Sequence, residues 1–120
     1  MGDLTKNFNR REFSCPCCGI DHIDHQLVIM LQEVREAVGH ALVISSGVRC
    51  AKHNKEVGGV KTSAHISGTA VDIVCESSKL RFAIIRAALQ SGITRIGVAD
   101  RFLHIDTATV GKPKFVIWCY

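Results

Sequence analysis

Ser63-Ala64-His65-Ile66-Ser67-Gly68-Thr69-Ala70-Val71-Asp72-Ile73-Val74 sets one carboxylate inside an apolar run. Its second half, Thr69 to Cys75, reads as a strand, because β-branched residues cluster there behind a Ser/Gly-rich turn. A strand that is apolar at nearly every position is buried on both faces. An ionised carboxylate in such a place is costly unless a cation or several donors meet it. Asp72 therefore requires partners, which are either backbone N–H groups or side chains brought from elsewhere in the chain.

The flanking segments supply the rest of the fold. Upstream, Asp24 to Val38 reads as a helix, with Asp24 as cap, Gly39 as stop, and Leu27, Leu31, Val34 and Val38 at helical spacing. Ala41 to Ser45 reads as a buried strand. Ser46 to Gly68, rich in Gly, Ser, His and Asn, reads as a long functional loop with one helical turn around Lys52 to Val57. Downstream, Ser77 or Ser78 caps a second helix that runs to about Gln90, with Leu80, Ile84 and Ala87 inward and Gly92 at its end. Arg95–Ala99, Phe102–Thr107 and Phe115–Cys119 read as strands, with Gly111-Lys112-Pro113 as the turn before the last. This order predicts an α+β fold. The last strands follow too closely for parallel crossovers, so the sheet should be mostly antiparallel, with two main helices packed on it.

Composition bounds the rest. The 120 residues predict one domain over 1–120. A 47% hydrophobic and 22% charged chain is neither disordered nor fibrous. No apolar run approaches the roughly 18–20 residues of a membrane span. The net charge of +4 is scattered along the chain and leaves no nucleic-acid footprint. A monomer without membrane insertion is expected. The N-terminus has no secretory signal pattern, which predicts synthesis in the cytoplasm and mostly reduced cysteines.

Residues i and i+2 of a strand share a face, so His104 and Asp106 in Phe102-Leu103-His104-Ile105-Asp106 point the same way. Taken singly, each histidine reads as an ordinary core or surface residue. Two imidazoles and one carboxylate, however, are a catalytic zinc set with a fourth position left for water. His65, Asp72 and His104 can converge on one point, although spacing does not prove that they do. Arg49 follows Ser45-Ser46-Gly47-Val48 at the end of the buried strand, where its guanidinium can hold a carboxylate through two parallel hydrogen bonds.

Ser46-Gly47-Val48-Arg49-Cys50, His53-Asn54, Val57-Gly58-Gly59, the Ser-x-His-x-x-Gly-x-Ala-x-Asp pattern of 63–72, Phe-Leu-His-Ile-Asp of 102–106 and the terminal Trp118-Cys119-Tyr120 occur in one order. From Phe13 to Tyr120 the chain resembles the zinc D-Ala-D-Ala carboxypeptidase family, in its short phage and bacterial branch. That family includes L-alanyl-D-glutamate endopeptidases and shares its fold with the hedgehog signalling domain. The resemblance implies a zinc ion (Zn2+) on His65, Asp72 and His104, and a substrate-binding arginine at Arg49. It implies a peptidase acting on peptidoglycan stem peptides, reaching the cell wall after release or by another export route. It also implies positive φ or close approach at Gly58, Gly59 and Gly68.

Two positions depart from the family pattern. Many relatives carry an acid three residues before the second zinc histidine, as general base; here that residue is Arg101. Asp106, on the face of His104, is then the expected base, with Asp100 as the other candidate and a ligand-orienting carboxylate as the alternative role for Asp106. Relatives also often carry an arginine soon after the His-x-Asp, where this chain has Thr107 and Ala108. A zinc-containing module without turnover, or a phage-particle adaptor without metal, are the rival functions.

Cys15, Cys17, Cys18, His22 and His25 form a separate group whose CxCC and HxxH spacing matches no usual zinc finger. Free thiols, a disulfide formed in an oxidising space and a structural metal are all open there, with Cys50 as a further partner. Phe115 and Trp118 read as core rather than as a substrate platform.

Overall fold

A computed structural model describes residues 2–120. A 3-10 turn, Arg10–Phe13, precedes α1 (His25–Val38), β1 (Ile44–Ser46), α2 (Ala51–Glu56), β2 (Ala70–Val74), α3 (Ser78–Gln90), β3 (Arg95–Val98), β4 (Phe102–Asp106) and β5 (Val116–Cys119). The caps stand where the residue chemistry requires them. Asp24 accepts from the Leu27 N–H, Ser77 accepts from the Leu80 N–H, and Gly39 closes α1 in the left-handed region at φ 68°.

The five strands form one sheet in the order β1-β2-β4-β3-β5. Strand alternation gives the sheet two unlike faces. Val71, Ile73, Ile96, Leu103 and Ile105 pack in a single core with Leu27, Leu31 and Val34 of α1 and Ile84 and Ala88 of α3. Full burial of each of these large side chains contributes roughly 1.5–3 kcal/mol. The opposite face of β2 and β4 carries the polar residues Asp72, His104 and Asp106. The direct pairing of Asp72 with His104 across these antiparallel strands sets them side by side.

Three expectations need correction. The first strand is a short edge strand, not a buried one: it pairs with β2 only through Ile44 and Ser46 with an irregular register, and Val43 is 59% exposed. The sheet is mostly antiparallel as expected, but its last pairing is not: β5 runs parallel to β3. No helical crossover is needed, because β4 has already carried the chain back to the end from which β3 set out. Phe115 lies outside β5 at φ 62°, and its ring is exposed. The chain bends at 114–115 on entering β5, and the Phe115 side chain faces solvent.

Candidate functional site

β2 and β4 hold the centre rigidly, and the loop from 47 to 69 brings the third group. The His65 carbonyl accepts from the Arg49 N–H at 3.0 Å, and the His65 ring Nδ1 lies 2.7 Å from the Gly47 carbonyl. Gly68, at φ 76°, lets the loop turn into β2. His65, Asp72 and His104 are all buried, and they offer one ligand atom each, all within 4.8 Å of one another. His65 Nε2 is 3.3 Å and His104 Nδ1 is 3.0 Å from the same oxygen, Asp72 Oδ1.

The outer nitrogen of each ring fixes its tautomer. A carbonyl only accepts, so His65 carries its proton on Nδ1 toward Gly47. His104 Nε2 lies 2.7 Å from Asp106 Oδ2, so its proton faces that carboxylate. In the neutral rings, the two inward nitrogens and Asp72 Oδ1 then present three lone pairs to one point. Such a set repels itself unless a cation sits among it. Two imidazole nitrogens and one carboxylate oxygen suit zinc, so the donor chemistry fits that ion.

Charge is balanced tightly around these groups. Without a metal, burial raises the Asp72 carboxyl, but N–H groups turned onto it by His104 and His65, and their charge, outweigh burial and hold the group at about 2. Burial opposes protonation of His104, yet its hydrogen bonds to the Asp106 and Asp72 carboxylates, and their charge, raise its pKa. Asp106 is lowered against its own burial by His104 and Arg95.

Arg49 lies beside the centre with all three guanidinium nitrogens engaged. Nε donates to Ser46 Oγ at 3.1 Å, Nη1 to Asn54 Oδ1 at 3.2 Å and Nη2 to Asp72 Oδ2 at 3.3 Å. These bonds use three of the five N–H groups of a guanidinium and leave two for another partner. A Cβ at Gly59 would run into Asn54 and crowd Arg49 Nη1, so this glycine leaves room for the pair.

Asp106 is placed differently from the general base expected of it. It is 1% exposed. Its Oδ1 accepts from Arg95 Nε at 2.7 Å and from the Ala108 N–H at 3.1 Å, while Oδ2 faces His104. With both oxygens occupied, it sits behind His104 as the carboxylate that orients the ring. Asp100, the other candidate, is exposed in the β3–β4 turn and does not line the cavity.

The centre opens into a cavity of about 410 Å³, edged by Arg49, Phe102, Lys112, Trp118 and Tyr120. Trp118 is half-buried, its ring 5.4 Å from that of His104 and 5.0 Å from the Arg95 guanidinium. It is thus a wall of the cavity as well as a packing residue. Gly97 makes this possible, since a Cβ there would lie 2.7 Å from Trp118 Nε1. The Tyr120 phenol is pushed up by partial burial, helped by the Asp72 charge and opposed by Trp118 and Arg49, so it keeps its proton. Arg95 was not singled out in the sequence, and Tyr120 entered only as part of the terminal Trp118-Cys119-Tyr120. An arginine opening an apolar strand was the available signal for Arg95.

A family model described as Peptidase M15 matches residues 6–106. The matched stretch contains Arg49, His65, Asp72, His104 and Asp106, and stops before β5. No curated protein matches the chain.

Proposed function

The chain belongs to the peptidase M15 family, and from that premise we propose that it is a zinc-dependent hydrolase of bacterial cell-wall stem peptides. The bond cut is of the D-Ala-D-Ala carboxypeptidase or L-Ala-D-Glu endopeptidase type. The observation that carries this proposal is the convergence of His65, Asp72 and His104 at the floor of a cavity that also presents Arg49.

His65 Nε2, His104 Nδ1 and Asp72 Oδ1 would hold the metal. Bound zinc supplies Lewis acidity and an acidified water at neutral pH. Arg49 keeps Asp72 Oδ2 occupied, which leaves Oδ1 for the centre, and its two remaining N–H groups clamp a carboxylate of the peptide. That carboxylate is either a chain terminus or the free carboxylate of a D-Glu-like residue. Asp106 holds the His104 proton on Nε2, so Nδ1 stays open. Tyr120, protonated at the cavity edge, donates to the oxygen that gains negative charge. The protein acts as a monomer, on the wall, after release or export by another route.

One observation favours the rival, a zinc module without turnover. Among the described residues lining the cavity, the only carboxylates are Asp72 and Asp106, and neither is free to take a proton. Incubation of the zinc-loaded chain with defined stem peptides separates the two. Mass spectrometry should show loss of a terminal alanine or scission after L-Ala, abolished by His65→Ala. Stoichiometric zinc with no product from any stem peptide would establish the rival.

A further inference from the structure

The cysteines left unused by this centre also converge. Cys15, Cys18 and Cys50 set their sulfurs within 4.8 Å of one another, with Cys15 and Cys50 3.8 Å apart. All three are free thiols, and Cys15 is 1% exposed. The local backbone explains the arrangement. Gly19 N–H donates to the Cys15 carbonyl at 2.8 Å, and Cys15 N–H donates to the Ile20 carbonyl at 2.8 Å. These bonds close Cys15-Pro16-Cys17-Cys18-Gly19 into a tight turn, with Gly19 at φ 78°. Cys50 arrives from the other side, held by the Val48 N–H bond to the Phe13 carbonyl at 2.8 Å. The Cys50 sulfur already accepts the His53 N–H at 3.3 Å, which fixes its direction toward the turn.

We propose that Cys15, Cys18 and Cys50 form a second, structural zinc site, with Cys17 as the fourth thiolate. Cys15 and Cys18 have the C-x-x-C spacing of zinc sites once the histidines are set aside. His22 does not join them: its ring lies 3.1 Å from the Ile66 carbonyl. Cys17 lies on the same turn, between Cys15 and Cys18, and its free thiol is exposed. Soft thiolates select zinc, and four of them close the tetrahedron, leaving no open position for chemistry. A Cys15–Cys50 disulfide would join the two sulfurs 3.8 Å apart but give the approach of Cys18 no role. The site would also tie the N-terminal turn to the residue directly after Arg49, steadying the guanidinium that faces the cavity.

The test is metal content and cobalt spectroscopy on the full chain, purified under reductant. Wild type should hold about two zinc ions, and H65A/H104A about one, since that variant loses only the cavity ion. Cobalt in H65A/H104A should give the near-ultraviolet thiolate-to-metal charge-transfer band, and Cys50→Ser added to it should remove the band. Should these variants fail to fold, thiol counting on wild type decides: Cys119 should react at once, buried Cys75 slowly throughout, and the other four slowly until a chelator is added. A Cys15–Cys50 disulfide in peptide mass maps, or six thiols that react alike with and without chelator, would overturn the proposal.

Discussion

Asp106→Asn separates the two roles open to that carboxylate. Asparagine keeps the shape but replaces one acceptor oxygen by an NH2 group. If the amide oxygen stays with Arg95 and Ala108, the NH2 faces His104 Nε2 and donates to it. The His104 proton then moves to Nδ1, the nitrogen that faces Asp72 Oδ1 at 3.0 Å. In either amide orientation a guanidinium that is 7% exposed loses its counter-charge, and a flipped amide also sets its NH2 against the Arg95 Nε–H. The proton shift costs roughly 10–100-fold in zinc affinity, as when other ligand-orienting groups are lost. The lost counter-charge costs roughly 3–5 kcal/mol, the usual result of breaking a buried ion pair. At this chain length that lowers the melting temperature by roughly 10–20 °C. Competition with a chromogenic chelator measures the affinity, and thermal melts of the metal-free protein measure the stability. Unchanged affinity and unchanged melting, combined with a roughly 10²–10⁴-fold fall in kcat, would refute this reasoning and make Asp106 the general base.

Arg49→Lys should lower kcat/KM on stem peptides by roughly 10–100-fold, because one or two charge-assisted hydrogen bonds are lost while the charge is kept; an unchanged value would confine Arg49 to supporting Asp72. In the metal-free protein the Asp72 pKa of about 2 lies below its ordinary 3.8, so its contribution is complete above pH 4 and lost as pH falls toward 2. The stability gap between wild type and Asp72→Asn, read from urea midpoints, should therefore shrink by on the order of 2 kcal/mol over that window; a gap constant with pH would remove the assigned role of the two histidines. Gly97→Ala should displace the Trp118 ring, shift its fluorescence and cost roughly 1–3 kcal/mol in a melt, since the new Cβ would lie 2.7 Å from Nε1. Wild-type fluorescence with wild-type stability would show that the edge strand moves freely.

The helices and most strands were legible in the sequence because their signals are local. Asp24 and Ser77 cap, Gly39 stops α1, and the apolar periods name the faces that α1 and α3 bury. Asp72 was conspicuous for the same reason: a charge inside an apolar strand is anomalous among its immediate neighbours. Period two likewise put His104 and Asp106 on one face, as their 2.7 Å contact requires. It could not say which atom faced which. Asp106 reads equally well as a base or as a support until Arg95, Ala108 and His104 are seen to occupy its oxygens.

The decisive differences lie between segments distant in the chain. The α+β element order, the buried carboxylate and the histidines eligible to join it depend on residues within a few positions of one another and can be read along the chain. The parallel return of β5 beside β3, the support of Asp106 by Arg95 from the next strand but one to β2, and the meeting of Cys50 with Cys15 and Cys18 appear only in the folded molecule. Strand pairing and loop convergence are chosen by burial and hydrogen-bond satisfaction across the whole chain, and no local pattern of residue types encodes those constraints.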